Sequence, residues 1–192
     1  MTGIDDPTTA LPGAVSARVP DWSREAKRLR DWQPSRSLLA SIRSYQRLRG
    51  GARPDRAARR WLAVLRHRFW SVVTGADVPL VCRIEGGLLL PHPNGIVIHP
   101  DARIGPNCLL FQQVTLGTGG PVPGAPVLAG HVDVGAGAKI LGGVHIGAHA
   151  VIGANAVVLC DVPDGATAVG IPARIVPSRR PGDSDASEAR HE

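Results

Sequence analysis

Two hydrophobic periods divide the chain. From Trp22 to Val73, aromatic and aliphatic residues recur near helical spacing. Leu38, Leu39, Ile42, Tyr45 and Leu48 form one stripe, opened by Pro34-Ser35 and closed at Gly50-Gly51. Trp61, Leu62, Leu65, Phe69, Trp70 and Val73 form a second, restarted at Pro54-Asp55 and ended by Gly75. Arg59, Arg60, Arg66 and Arg68 lie partly off that stripe. Proline suits a first helical turn, where its missing N–H has no helical partner, and glycine suits the residue past the end. Residues 21–75 therefore read as a few amphipathic helices.

Further on, the period becomes six. Ile98, Ile104, Leu110, Leu116, Val122, Leu128, Val134, Ile140, Ile146, Ile152 and Val158 share one phase. Six residues match neither the helical period of 3.6 nor the strand period of 2. Short strands joined by tight turns and stacked as a solenoid explain it. The ladder then fills the axis. Small or branched residues two places earlier, such as Ala102, Cys108, Val114, Ala138 and Ala150, fit the corners. Glycine one place later, at Gly105, Gly117, Gly135, Gly147 and Gly153, is expected to supply the turn backbone. Residues 117–126, GTGGPVPGAP, break the rhythm, yet Leu116 and Leu128 are twelve apart. A loop must leave the solenoid there and return in register. Such loops on rigid scaffolds often carry function.

Composition refines this picture. Aromatic residues are only 4% of the 192, so the core must be Val, Ile, Leu and Ala. Residues 18–70 hold 15 Lys/Arg against 4 Asp/Glu, whereas residues 71–173 hold 3 against 6. A basic front is thus joined to a nearly uncharged body. No apolar run reaches the roughly 18 residues of a membrane helix. The N-terminus lacks the basic and apolar regions of a signal peptide. A cytoplasmic location is expected, with no membrane partner. Cys82, Cys108 and Cys160 are odd in number and far apart, which suits packed hydrophobes better than a disulfide framework or metal motif. Residues 1–20 and 177–192 lack periodicity and read as disordered.

The strings HPNGIVIHPDARIG, QQVTLGTGG, VGAGAKILGGVHIGAHAVIGANAVVL and VGIPARIV carry a family resemblance. Residues 76–176 resemble the serine O-acetyltransferase family of hexapeptide-repeat acyltransferases. That resemblance implies a mainly β fold, a left-handed parallel β-helix preceded by a short α-helical segment. It implies acetyl-CoA as co-substrate, direct transfer without a covalent nucleophile or metal, and a homo-oligomer, with a trimer expected because the helical front is short.

Within the resemblance, His92 in PHPNGIVI takes the position of the catalytic histidine, and Asp77, fifteen residues earlier, that of its partner carboxylate. A base of near-neutral pKa is what deprotonation of an attacking hydroxyl needs. A carboxylate on the other ring nitrogen fixes the tautomer and steadies the imidazolium. The resemblance also places Thr118, Gly119, Gly135, Ala136 and Ala154 along the acetyl-CoA groove, and Lys139 and Arg174 near the nucleotide phosphates.

The chain departs from the family on the acceptor side. Pro91 replaces the acidic residue before the histidine, and Gly124-Ala125 replaces an Arg-His pair. Serine is the first acceptor to expect. A sugar, polysaccharide or specialised-metabolite hydroxyl is the alternative. From another class, the basic segment suggests an anion- or nucleic-acid-binding scaffold, although no nucleic-acid motif accompanies it. The polar C-terminal tail predicts no cysteine-synthase complex.

Overall fold

The computed structural model describes residues 15–27, 32–49 and 54–176. Two helices form where their proline starts predict: α1 at Pro34–Arg47 and α2 at Pro54–Thr74. Gly75, at φ 64°, ends α2 and donates its N–H to Ser71 O at 2.9 Å. The expected stop of α1 at Gly50-Gly51 lies outside the described residues. Leu38, Leu39 and Ile42 of α1 are buried in the main core. The α2 stripe behaves differently. Ala63 is buried and Trp70 packs against the core, but Trp61, Leu62, Leu65, Phe69 and Val73 are exposed in the single chain.

The sequence reading of residues 1–20 as disordered is corrected for 15–20. These residues, with the 3-10 turn Trp22–Glu25, form a strap along the body. The Asn107 side chain donates to Ser16 O and Val19 O and accepts from Asp21 N, at 2.7–2.8 Å. Residues 1–14 and the tail 177–192 lie outside the described residues. One buried ion pair ties strap, α1 and body together. Arg43 grips Glu25 with Nη2–Oε1 at 2.8 Å and donates to the carbonyls of Ile84 and Glu85. Glu25 in turn accepts from Gly87 N and Leu88 N.

The body is a stack of coils. Its strands are β1 (Arg83–Ile84), β2 (Val97–Ile98), β3 (Arg103–Ile104), β4 (Leu109–Leu110), β5 (Thr115–Gly117), β6 (Val127–Leu128), β7 (Asp133–Val134), β8 (Lys139–Leu141), β9 (His145–Ile146), β10 (Val151–Ile152), β11 (Val157–Val158), β12 (Thr167–Gly170) and β13 (Ala173–Val176). Successive strands go to three different sheets in rotation. The first sheet orders β1-β3-β6-β9, the second β13-β12-β10-β7-β4 and the third β11-β8-β5-β2. All pairings are parallel except β12 with β13, which is an antiparallel return. The chain is therefore mostly β with parallel sheets, plus two helices.

The aliphatic ladder fills the axis as its period requires. Ile98, Ile104, Leu110, Leu116, Leu128, Val134, Ile140, Ile146, Ile152 and Val158 are all 2% exposed or less. Val122 is the exception. It sits in the loop, 43% exposed, so the ladder skips that rung. The corner residues Ile96, Ala102, Cys108, Val114, Val132, Ala138, Val144, Ala150 and Ala156 are fully buried.

The glycines after the ladder do a different job from the one expected. Gly105, Gly117, Gly135, Gly147 and Gly153 have ordinary φ. Four of them are small because another coil presses on them. A Cβ on Gly105 would stand 2.6 Å from Ala129 C and O, and one on Gly147 would stand 2.4 Å from Asp164 N. The left-handed backbone sits three residues after the ladder instead, or five at Gly95, where two extra residues follow Leu90. Along one edge this column is Gly87, Asn107, His131, His149 and Gly165, and along another it is Gly95, Gln113, Gly137 and Asn155.

Cys82 and Cys108 are buried and Cys160 is exposed. Burial pushes the Cys82 thiol up to about 12, with Asp77 and Asp101 adding to the shift. Burial likewise raises Cys108 to about 11. At pH 8 a thiol reagent should therefore modify Cys160 alone in the folded protein, and all three cysteines after unfolding, as intact mass would show. Gly105→Ala should lower stability by about 1–3 kcal/mol through overpacking against Ala129. Gly165→Asn should be near neutral in the same denaturant titration, because asparagine tolerates its left-handed φ of 65° and a Cβ there has nothing within 4 Å.

Candidate active site

Helix α2 delivers the chain into the bottom of the third sheet. Past Gly75, Asp77 pairs with Val97 of β2 as an isolated parallel bridge. Its N–H donates to Ile96 O at 2.8 Å, and its carbonyl accepts from Ile98 N at 2.9 Å. Asp77 is thus held by backbone bonds on both sides while its side chain stays exposed.

His92 lies where the hexad phase slips. Below Ile98 the buried ladder continues as Leu90, Ile84 and Val78, again six apart, but eight residues separate Leu90 from Ile98. The two extra residues fall in the corner Pro91-His92-Pro93-Asn94, between the second and third sheets. Prolines on both sides fix φ around His92 and remove two N–H donors. Gly95 N donates to Gly75 O at 2.8 Å, so this corner is bonded to the end of α2. His92 is exposed, as Asp77 is. No hydrogen bond or ion pair joins the two side chains among the described residues.

Above His92, the same edge climbs coil by coil through backbone bonds. Gln113 N donates to Asn94 O, Gly137 N to Gln112 O and Asn155 N to Ala136 O, at 2.8–2.9 Å. A Cβ on Gly135 would lie 2.6 Å from Ala154 N. Gly135, Ala136 and Ala154 are therefore stacked neighbours on the His92 edge. Val169 rests on Gly153, and Arg174 stands opposite Val169 in the β12–β13 pair. Arg174 thus tops the column that His92 begins. Five strand spacings separate them, from the Leu89 coil through β4, β7, β10 and β12 to β13, roughly 24 Å at the ~4.8 Å spacing of paired strands.

Three of the expected residues stand elsewhere or are otherwise engaged. Thr118 and Gly119 leave the far end of β5, across the third sheet from His92. Both are exposed, and a Cβ on Gly119 would meet nothing within 4 Å. The Lys139 ammonium is tied to the carbonyl of Gln113 rather than free. It braces the corner one coil above His92. Gln113 holds φ 58° there, and Gln112 Oε1 is buried with no hydrogen-bond partner among the described residues. Sequence reading missed both glutamines. The signal was present, because they fall two and three places after a ladder residue. Among the described residues no group of three or more His, Cys, Asp or Glu is placed to hold a metal. No described helix is long and apolar enough to cross a membrane.

No protein-family model and no curated protein matches the chain. Solved structures do. Soybean serine acetyltransferase complexed with serine is 36% identical, over 74% of this chain and 56% of that one, with a TM-score of 0.60. A serine acetyltransferase in complex with CoA is 36% identical, over 76% and 58%, at 0.63. The Brucella abortus strain S19 enzyme in complex with coenzyme A is 31% identical, over 76% and 56%, at 0.64. Over that span the chain is a structural relative of the serine acetyltransferases. It spans little more than half the length of those three chains. Like these acetyltransferases it has a mostly β body, and the matched span is long enough to include most of the described residues.

A β-branched residue at Gln113 would be forced into the left-handed region beside His92. Gln113→Val should cost about 1–2 kcal/mol in a denaturant titration, whereas Gln113→Asn should cost well under half of that.

Proposed function

We propose that the chain is an acetyl-CoA-dependent O-acetyltransferase with L-serine as its first acceptor. The observation that carries the reading is the similarity, at 31–36% identity, to serine acetyltransferases solved with CoA and with serine. The matching edge supports it from the chemistry. His92 stands at the foot, Arg174 at the top and a strip of small residues lies between, which suits an elongated ligand with an anionic end. We take the coil to be left-handed, in keeping with these relatives, and residues 76–176 to be the catalytic unit.

In this reading His92 takes the proton of the acceptor hydroxyl as its oxygen attacks the thioester carbonyl. The new C–O bond forms, the C–S bond breaks, and the imidazolium returns the proton to the departing thiolate. Asp77 steadies the imidazolium, closing onto it when substrate is bound, since such bonds tighten in the reacting complex. Small residues at Gly135, Ala136 and Ala154 let the pantetheine arm approach the backbone. Gln112 Oε1, an acceptor without a donor, can take an N–H from it. Arg174 meets the phosphates. Lys139 acts mainly through Gln113.

The position of Thr118 and Gly119 supports a homotrimer. They cannot line the His92 edge of their own coil, but the corresponding loop of a neighbouring copy can face it across a groove. We assign the molecule to the cytoplasm, and the transfer step itself to side chains alone, without a catalytic metal.

One observation favours a second acceptor. Pro91 and Gly124 are exposed, and Ala125 packs against the core, so none offers a charge to an amino acid. A sugar or other metabolite hydroxyl needs none.

Thiol release from acetyl-CoA, followed with L-serine and with a panel of sugars and hydroxylated metabolites, tests the proposal. Turnover should fall by about 10²–10⁴ in His92→Ala. Activity unchanged in that variant would overturn the mechanism. Activity on another hydroxyl, absent with serine, would move the acceptor and keep the chemistry.

A further inference from the structure

The edge between the first and second sheets carries the column Gly87, Asn107, His131, His149 and Gly165. Two consecutive members are histidines, and coil stacking sets one imidazole over the other. Their Nδ1 atoms are 2.7 Å apart, with ring centroids at 4.9 Å and planes at 81°. As neutral rings they make this contact with one Nδ1 donating and the other offering its lone pair. The backbones beneath are fixed. His131 N donates to Pro106 O at 2.7 Å and His149 N to Gly130 O at 3.1 Å.

This convergence also fits two adjacent metal ligands. With metal–nitrogen bonds of about 2.0–2.1 Å and angles of roughly 90–110°, the two nitrogens stand about 2.9–3.4 Å apart. An opening of a few tenths of an ångström, with a swing of each exposed or half-exposed ring that turns both Nδ1 lone pairs to a common point and frees the shared proton to solvent, turns the hydrogen-bonded pair into a chelate. The charges facing His131 are Asp133, two residues on, His149 itself and Arg24 of the strap. The Arg24 guanidinium is held on Asn107 O at 2.8 Å, and Asp133 opposes its charge.

We propose that His131 and His149 form a two-imidazole site for a divalent transition-metal ion of the copper–zinc class. The ion clasps consecutive coils on an edge separate from the His92 edge, and water fills its remaining positions. Imidazole ligands select this class, with copper(II) bound most tightly. The site does not depend on the proposed transferase activity.

The test is calorimetric titration of the full chain with Cu(II), with electron paramagnetic resonance of the product, and Zn(II) as a second probe. One Cu(II) per chain should bind in the tightest step, with nitrogen coupling from two imidazoles. Binding should also raise the melting temperature. His131→Asn and His149→Asn are the informative variants. Asn107 and Asn155 already hold equivalent left-handed corners at φ 61° and 56°, so asparagine preserves the turn. Each variant should weaken the tightest step by at least about tenfold, the scale seen when even outer partners of a metal ligand are lost. Each should also abolish the metal-dependent melting shift. His145→Asn, on β9, should leave both unchanged. An unchanged tightest step in both asparagine variants would overturn the proposal. So would wild-type binding no tighter than that of a variant carrying both His131→Asn and His149→Asn, leaving a hydrogen-bonded pair only.

Discussion

Backbone hydrogen bonds between successive coils run from Asp77 to Ala168, and they hold the coils at about 4.8 Å. That spacing leaves no room for a side chain where one corner lies flat on the next. Gly105, Gly135 and Gly147 are glycine for this reason, since a Cβ on each would stand within 2.6 Å of the backbone above. The same stacking places like residues in columns. The aliphatic column excludes water from the axis, and its burial supplies the main drive for folding. The corner columns bring together residues 18 or 24 apart in sequence, such as Gln113 with Gly137 and His131 with His149.

A regular solenoid offers only repeated, interchangeable edges. Chemistry needs a place that differs, and this chain makes two such places by breaking its own phase. Two extra residues lift His92 out of the corner rhythm, between prolines and bonded to the end of α2 through Gly95 and Gly75. Six more push the 118–126 loop off the other side of the third sheet. Both irregularities border the same sheet. Between them the coils are joined by backbone hydrogen bonds, which suits the proposed positioning of a base against a thioester. The buried Arg43–Glu25 pair then ties the strap and α1 to the backbone of residues 84–88 in the lowest part of the stack.

Much of this was legible in the residues. The six-residue period gave the solenoid, and Pro34, Pro54 and Gly75 gave the helix limits. What could not be read was any contact between residues far apart in sequence. The strap needs Asn107 to receive Ser16, Val19 and Asp21, and nothing local in residues 15–20 announces that. The role of the glycines was misread because conformational freedom and close approach leave the same letter in the sequence. Ordinary φ at Gly105 and positive φ at His131 separate them. The resemblance places Lys139 near the nucleotide phosphates, and nothing in its motif announces that stacking also brings the Gln113 carbonyl within its reach. The exposed face of α2 shows the same limit from the other side. Its Trp61, Leu62 and Phe69 have the spacing of core residues, and the single chain does not bury them.

The central claim is that one edge, from His92 up to Arg174, is the acyl-donor groove. A crystal structure of the full chain grown with CoA tests it most directly. The thiol should lie beside the Pro91–Asn94 corner, the pantetheine arm along Gly135, Ala136 and Ala154, and the phosphates toward Arg174. CoA seated on another edge, or lying along this edge with its thiol away from His92, would contradict it.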